Sequence, residues 1–463
     1  MNAIILTAVW GVVMMLAGAF IKSKAVAKYL AYAGIVLVII CNGAEMLRHE
    51  SYFAIDVKDM LHFTNYSLTF LMVMFLCTLL YFLLSGRDIE RTGNHPFEYF
   101  ALIFFVLCGV GLVASFDTLL ILFIGIEIIS IPLYILTGSD KRNLKSNEAA
   151  LKYFLMGTLS TGIMLMGIAL LYGGSDSASF FLSKLNLGVG KLPAFTAAGL
   201  IMLLVAFSFK VSAAPFHFWT PDVYDGAPTV FTSFMASIVK AASFFAFLHL
   251  FENAFGTVHD QWQKLIAIIT AATLLIGNLT AVFQQSVKRM LAYSSIAQAG
   301  FMLFALFALN ERAQEGLVLY AAAYSIATIG IFAILVRMKD YTVDGFNGLA
   351  KKQPLLALTA TIFLLSLTGI PLTAGFQAKF YMLVAAVKDG HQIWLVIFAV
   401  LCAAISAYYY FRVIQAMYFK DSDVTVVDEA DITPGYKILL GVTAALIILL
   451  GIYPDIVIDW LWS

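Results

Sequence analysis

Five ionisable side chains lie within or at the edge of long apolar stretches of the sequence. They are Glu127, Lys152, Lys210, Lys240 and Lys379. A charged side chain near the centre of a bilayer costs roughly 2.5 to 3.5 kcal/mol on insertion scales, so such residues are rare and mark functional paths by default. Lysine and glutamate both bind and release protons. The five positions therefore predict stations on an ion path.

The composition indicates the class of protein that holds these residues. Of the 463 residues, 62% are hydrophobic and 12% are charged, with a formal net charge of +0 and a mean hydropathy of +0.91. A bilayer core of about 30 Å needs roughly 20 apolar residues per helix, and the chain offers about fourteen such segments. We predict an all-α polytopic membrane protein with little chain left for a soluble domain.

Hydropathy places the helices along the chain, and the first reads as a retained helix rather than a signal peptide because it has no basic start. The predicted helices span residues 2–21, 27–46, 64–85, 97–115, 118–138, 149–173, 194–218, 228–251, 263–284, 289–309, 316–338, 354–384, 392–417 and 435–454.

Two of these helices contain a break close to a lysine. Pro215 follows Lys210 by five residues, and proline removes a backbone donor and clashes with the preceding turn. The segment 369–375, with two glycines and a proline, interrupts the helix just before Lys379. Broken backbone at membrane depth is tolerated only inside protein or along a hydrated cavity.

Paired breaks in corresponding positions are typical of transporters built from inverted repeats. We therefore expect an N-terminal three-helix segment at 1–96, a first repeat of helices 4–8 at 97–251, a second repeat of helices 9–13 at 263–417, and a C-terminal helix within 435–463.

Loop charges predict the orientation, because cytoplasmic loops are richer in lysine and arginine. With the N-terminus outside, the cytoplasmic loops and helix ends hold Lys22, Lys24, Lys28, Arg87, Arg91, Lys141, Arg142, Lys145, Lys288, Arg289, Arg337, Lys339, Lys351, Lys352, Lys420 and Lys437. The other side holds Arg48, Lys58, Lys184, Lys191, Lys264, Arg312 and Lys388.

Each site residue also has a structural interpretation. Lys152 follows Glu148 by four, the favourable order for an ion pair on a helix surface. A lysine near a helix end can extend its ammonium to water, which Lys240, near the middle of its segment, cannot easily do. Glu127 lies in a helix for which Asp117 is the predicted N-cap. Asp222 is expected to be exposed in a loop.

The sequence carries no visible machinery for nucleotides or electrons. Its four cysteines lie singly in predicted helices, with no CxxC pair for a metal or an iron–sulfur cluster, and no dinucleotide or Walker motif is present. We expect no cofactor and no metal on this chain.

Several segments together resemble a known family. They are GIEIISIPLY (125–134), EAALKYF (148–154), PFHFWTPDVYDGAPT (215–229), KRMLAYSSI (288–296) and GIPLTAGFQAK (369–379). They are similar to subunit N of proton-pumping NADH-quinone oxidoreductase, respiratory complex I, over about 97 to 417. The motif HFWTPDVY (217–224) resembles the corresponding motif of subunit N more than those of the sister antiporter-like subunits.

The resemblance implies fourteen helices in two inverted repeats, with both termini on the outer side. It implies that Glu127 and the four lysines carry proton translocation. It also implies NADH, flavin, iron–sulfur clusters and quinone on partner subunits, among them neighbouring antiporter-like and small membrane subunits, in a bacterial inner membrane.

Two positions depart from the family pattern. Val230 stands where relatives often have proline, and Gln298 stands where many relatives have a histidine. A glutamine side chain does not titrate, so Gln298 puts in doubt any mechanism that needs a protonatable group in the tenth helix.

Other functions remain open from the residues alone. A subunit of a Mrp-type cation/proton antiporter uses similar helices and charges, and a solitary solute transporter also uses broken helices in inverted repeats. Lysines spread over several helices argue against a compact solute site. The number of charges placed in apolar stretches argues against a purely structural membrane anchor.

Overall fold

The computed structural model describes the chain except residues 22, 49–51, 54–55, 94, 175–178, 186–191, 389–392, 422–426, 428–431 and 463. The predicted all-α class is confirmed. The α-helices are α1 Asn2–Phe20, α2 Lys24–Arg48, α3 Asn65–Arg91, α4 Pro96–Ser115, α5 Leu119–Thr137, α6 Leu144–Gly174, α7 Ala194–Lys210, α8 Trp219–Gly226, α9 Thr229–Phe234, α10 Lys240–Phe255, α11 His259–Val282, α12 Val287–Met302, α13 Phe304–Ala308, α14 Glu311–Arg337, α15 Leu349–Lys352, α16 Pro354–Thr368, α17 Ala374–Lys388, α18 Ile393–Phe419, α19 Pro434–Ile452 and α20 Asp455–Trp462. Lys22 and Lys191, counted among the loop charges, lie outside the described residues.

The number of membrane crossings agrees with the sequence prediction. In the described part of the chain, 11 helical runs are long and apolar enough to cross a membrane, and one of them, Thr229–Val282, has 54 residues and holds two crossings. Three shorter apolar helices supply the rest: α7 is one crossing, and α16 and α17 together form another. Fourteen crossings result.

Both predicted breaks are present. Helix α7 ends at Lys210, and the chain passes through Pro215 before α8 begins at Trp219. Helix α16 ends with Gly369 in the left-handed region at φ +89°, a conformation that glycine adopts without a steric penalty and that often ends a helix. Each break leaves helix-end carbonyls inside the protein, and these become available to side chains.

The local structure differs from the predictions at three places. The predicted N-cap Asp117 is wrong, because Thr118 Oγ1 accepts from the backbone N–H of Ile121 at 3.3 Å. The predicted tenth helix divides at Leu303 into α12 and α13. A π-helical turn, Met235–Val239, directly precedes Lys240. Such turns are rare and frequently lie at functional sites.

The centre of the bundle consists of α12, α13 and α14. The apolar stretch of α14 is fully buried by the rest of the chain, whereas most residues in the apolar stretches of α1 and α2 are not buried. Helix α14 packs against α3, α9, α16, α17 and α19. Polar groups on the central helices are therefore shielded from lipid, which is where a charge inside a membrane protein is tolerated.

One end of the bundle, called here the basic face, is where α3 and α14 finish and α12 begins. Its position follows from contacts between the helix ends. Arg337 at the end of α14 pairs with Asp88 near the end of α3, and Arg289 at the start of α12 pairs with Asp222 of α8 at 3.0 Å. Several of the predicted cytoplasmic charges therefore lie at a common end.

The crossing of α6 and α7 depends on two facing glycines. A Cβ added to Gly167 would lie 3.1 Å from the carbonyl oxygen of Gly199, and one added to Gly199 would lie 2.9 Å from that of Gly167. Small residues at such crossings let helix backbones approach closely in membranes.

Replacing Gly167 by valine should force α6 and α7 apart and lower stability by about 1–3 kcal/mol, the usual range for overpacking. The measurement is the apparent melting temperature of the detergent-purified protein. Gly162→Val is the matched control, because it lies on the same helix with nothing within 4 Å of an added Cβ. Equal melting temperatures for the two variants would contradict the close crossing.

Candidate functional site

Lys210 lies at the last residue of α7, where the first break begins. Its ammonium donates to Ser130 Oγ on α5 at 2.8 Å, and Ser130 donates in turn to the carbonyl of Ile126. Glu127 lies on the same helix as Ser130 and acts electrostatically on Lys210, but within the described residues the two form no ion pair within 4 Å. Glu127 Oε1 is buried without a hydrogen-bond partner in the described part of the chain.

This arrangement leaves Glu127 and Lys210 separate but coupled. A carboxylate that approaches an ammonium stabilises its charged form, and withdrawal removes that stabilisation.

Lys240 is the first residue of α10 and is 2% exposed. Its ammonium donates to the backbone carbonyl of Ser295 at 3.0 Å and to the Ser295 hydroxyl at 2.9 Å, and it lies 5.8 Å from the centre of the Tyr224 ring. Neutral acceptors and a ring face thus replace a carboxylate around this charge.

A small cavity joins Lys210 to Lys240. The cavity volume is about 20 Å³, which is enough for roughly one water. Its walls are Ile126, Ile129, Ser130, Tyr153, Phe209, Lys210, Trp219, Tyr224, Met235, Val239, Lys240 and Ser243. The side chains of Lys210 and Lys240 therefore line one small space.

Lys379 lies in α17, just after the second break, and is 6% exposed. Its ammonium donates to the carbonyls of Leu367 and Thr368, both at 2.8 Å, at the C-terminal end of α16. The C-terminus of a helix carries a partial negative charge that favours a cation. The break thus supplies the acceptors that hold this lysine.

Helix α12 connects the surroundings of Lys240 and Lys379. Ser295 binds Lys240, and three residues later the side-chain amide of Gln298 donates at 2.7 Å to Leu367 O, the carbonyl that Lys379 also uses. The Tyr320 hydroxyl donates to Gln298 Oε1. A cavity with a volume of about 10 Å³ lies beside Gln298 and Lys379. Gln298, whose amide does not titrate, thus forms part of the wall of this cavity.

Lys152 lies apart from the other three lysines. Its ammonium pairs with Glu148 at 2.7 Å and with Asp222 at 2.9 Å, and Asp222 also pairs with Arg289. The predicted pair with Glu148 is confirmed. The expectation that Asp222 lies in a loop is wrong, because Asp222 lies in α8, where it pairs with two cations and keeps 38% of its side chain exposed. The Lys152 side chain is 42% exposed.

The Lys152 cluster borders an open polar cavity on the basic face. The cavity has a volume of about 160 Å³. It is lined by Lys145, Glu148, Ala149, Lys152, Asp222, Asp225, Gly226 and Arg289. Tyr153, one residue after Lys152, stacks on Trp219 at 4.8 Å between ring centres, and both rings also line the inner cavity. An aromatic layer therefore separates the outer cluster from Lys210 and Lys240.

The sequence missed two buried cations. Lys288 is 4% exposed and donates to the carbonyls of Asp225 at 2.8 Å and Ala227 at 2.6 Å, which caps the end of α8. Arg337 forms its ion pair with Asp88 in the interior. Hydropathy places both at helix ends, so they resemble loop charges; the only sequence signal was the position of Lys288 within the KRMLAYSSI motif.

The described residues contain no group of three or more His, Cys, Asp or Glu side chains arranged to hold a metal ion. The chemistry that the site supports is proton binding and transfer through lysines, hydroxyls and small cavities.

Several known proteins are similar to this chain over most of its length. A family model described as "NADH:quinone oxidoreductase/Mrp antiporter, TM" matches residues 117–406. NADH-quinone oxidoreductase subunit N of Cytophaga hutchinsonii is 39% identical, with 99% of each chain covered. Subunit N of Flavobacterium psychrophilum is 35% identical, with 100% of each covered.

Solved structures show the same fold. A chain of respiratory complex I from Thermus thermophilus with bound aureothin has a TM-score of 0.83 and 31% identity, covering 99% of this chain and 98% of that one. A chain of the Mrp complex from Dietzia has a TM-score of 0.85 at 18% identity, with 99% and 96% covered, and this likeness shows a shared fold alone. The full-length identity to subunit N relatives decides between the two, and the chain belongs to the subunit N family of NADH-quinone oxidoreductases.

Proposed function

We propose that this chain is a proton-translocating membrane subunit of NADH-quinone oxidoreductase. The observation that carries the proposal is the set of Lys210, Lys240 and Lys379, three ammonium groups inside one bundle that are held by hydroxyls and carbonyls rather than by carboxylates. Small cavities border all three. Buried ionisable groups within membrane helices mark proton paths by default.

The proposed transfer runs along the row of lysines. Movement of Glu127 relative to Lys210 changes how firmly Lys210 holds its proton, and the proton passes through the shared cavity to Lys240. It then crosses the polar region around Ser295 and Gln298 to Lys379, which releases it towards the face opposite the basic face. Lys152 tunes the charge at the entrance or feeds protons in from the basic face.

The driving energy comes from partner subunits in this proposal. The chain belongs to an oxidoreductase family, and the electron carriers, namely NADH, flavin, iron–sulfur clusters and quinone, are assigned to those partners. Quinone reduction is coupled to this chain by a conformational or electrostatic change. The proposed direct neighbours are other antiporter-like subunits and small membrane subunits.

The proposed location is a bacterial inner membrane, with both termini on the periplasmic side. The support is the excess of lysine and arginine at the basic face, which is then cytoplasmic. The proposed repeats, 97–251 and 263–417, are supported by their matching order of crossings: three helices, one broken helix and one further helix in each. Because each block has an odd number of crossings, the second is inverted relative to the first.

Copurification tests the assembly. The tagged chain, purified from native membranes in mild detergent, should bring flavin and iron–sulfur subunits with it, and the preparation should oxidise NADH with quinone. Small membrane partners without redox centres, together with sodium-dependent exchange, would instead indicate the Mrp-type antiporter. A chain that purifies alone would indicate a solitary transporter.

Replacing Lys240 by alanine should abolish proton pumping while the complex still assembles, because the central proton carrier is lost. The measurement is acidification of inside-out membrane vesicles on addition of NADH, with assembly checked by native gel. Lys264→Ala, which changes an exposed lysine at the start of α11, is the control and should pump normally. Undiminished pumping by the Lys240 variant would sink the proposed path.

Replacing Glu127 by glutamine should lower pumping per NADH oxidised, because the amide keeps the shape of the side chain but no longer modulates the charge on Lys210. Glu127→Asp should restore part of the activity. Glu252→Gln is the matched control: Glu252 is also half-buried, but it lies near the end of α10 away from the lysine row. A Glu127→Gln variant that behaves like this control would remove Glu127 from the mechanism.

A further inference from the structure

The passage between Lys240 and Lys379 needs a group that can relay a proton. Lys240 donates to the carbonyl and the hydroxyl of Ser295, and Lys379 donates to two carbonyls at the end of α16. A carbonyl oxygen has no proton to pass on, and the amide of Gln298 does not titrate. A hydroxyl both accepts and donates, so it can take up one proton as it gives up another.

One buried phenol lies at the depth of this passage. Tyr324 is in the middle of α14, Glu311–Arg337, so at 1.5 Å per residue about 20 Å separate it from either end of the helix. Its side chain is 4% exposed. The phenol therefore lies near the centre of the bundle, away from both faces of the membrane.

The Tyr324 phenol connects the surroundings of the two lysines. It lies beside the Ser295 hydroxyl, which accepts from the Lys240 ammonium at 2.9 Å. It also lines the cavity of about 10 Å³ whose wall includes Lys379. That volume is roughly what one water requires. The four side chains thus lie in sequence from Lys240 to Lys379, with room for about one water before the last.

The hydroxyl neighbours of Tyr324 suit a relay. Two other buried phenols donate to fixed acceptors: Tyr320 donates to an amide oxygen, and Tyr436 donates to a backbone carbonyl at 2.7 Å. Tyr324 lies beside the hydroxyls of Ser295 and Thr328. Because a hydroxyl rotates and serves either as donor or as acceptor, the hydrogen bonds around Tyr324 can reverse their direction.

We propose that Tyr324 is the hydroxyl relay through which a proton passes from Lys240 to Lys379. The inference rests on the proposed function, since it names the residue that connects two lysines of the proposed path. Gln298 then orders the carbonyl that Lys379 uses, and the transfer itself takes place on the α14 side of the passage.

The transfer makes and breaks only N–H and O–H bonds. The Lys240 ammonium gives one N–H proton to the Ser295 oxygen. The Ser295 hydroxyl, which donates to the Ala292 carbonyl at 2.9 Å, turns from that carbonyl and gives its own proton to Tyr324. The Tyr324 proton then passes through the cavity to the amine of Lys379, which has already released its proton outward. Each oxygen gains one O–H bond as it loses another, so Tyr324 stays neutral and the proton rests on the lysines alone.

Removal of the phenol hydroxyl tests the relay. Tyr324→Phe keeps the ring and should lower the initial rate of proton pumping at least about tenfold, since a positioned proton-transfer group contributes roughly 10²–10⁴-fold and water replaces part of it. The measurement is acidification of inside-out membrane vesicles on addition of NADH, with assembly checked by native gel. The control Tyr436→Phe also removes a buried phenol hydroxyl but keeps the ring beside Arg337, and it should pump normally. Equal pumping by the two variants would overturn the relay.

A histidine on α12 separates a relay from a purely structural role. Gln298 lines the same cavity as Tyr324, and an imidazole binds and releases protons. Gln298→His, combined with Tyr324→Phe, should therefore restore much of the lost pumping. Gln298→Asn in the same background provides no titratable group and should restore none. A loss of pumping that Gln298→His does not relieve would show that the Tyr324 hydroxyl supports packing, and would overturn the inference.

Lys240→Ala, measured in parallel, separates this inference from the proposed function. If Lys240→Ala stops pumping and Tyr324→Phe pumps like its control, the relay is wrong and the lysine path stands. If Lys240→Ala pumps normally, both are wrong.

Discussion

An ammonium group inside a membrane bundle requires acceptors close at hand, because removal from water carries a penalty of several kcal/mol for each ion. The rest of this structure follows from how that requirement is met. Lys210 uses a serine hydroxyl, Lys240 uses one serine through both its carbonyl and its hydroxyl, and Lys379 uses two carbonyls at a helix end. None of these acceptors carries a full charge. The lysines are thus stabilised enough to remain inside, but they are not fixed by a permanent counter-ion.

The broken helices and the central helix α12 supply most of these acceptors. The break between α16 and α17 exposes the carbonyls of Leu367 and Thr368. The break after α7 leads into the short helix α8, whose end is capped by Lys288. Helix α12 carries Lys288 and Arg289 at one end and Ser295 and Gln298 further along. One rigid element therefore contacts the outer ion-pair cluster, Lys240 and the carbonyl shared with Lys379. A movement of α12 would therefore be felt at all three of these places.

The same principle explains the contrast between the two kinds of charged residue in the chain. Lys152 lies at the basic face within a network of ion pairs, where water is close and direct pairing is inexpensive. Arg337 is buried and has a carboxylate partner in Asp88. In the part of the chain that the structure describes, the three inner lysines are buried away from the surface and form no ion pair with a carboxylate. Gln298 bonds Leu367 O and the Tyr320 hydroxyl, so its amide orders this part of the site without titrating; in the proposed path the lysines alone carry protons.

The sequence alone determined the membrane class, the fourteen crossings, the two breaks and the positions of the five ionisable residues. These features are local: a run of apolar residues, a proline or a glycine acts within a few residues of itself. Hydropathy could not distinguish Lys288 and Arg337 from loop charges, because both lie at helix ends whose burial depends on other helices. The partners of the site residues lie 55 residues apart for Lys240 and Ser295, 80 for Lys210 and Ser130, and 249 for Arg337 and Asp88. Only the tertiary structure decided which acceptors hold each charge and which cavities connect them, since such contacts arise from packing between helices that no local pattern encodes.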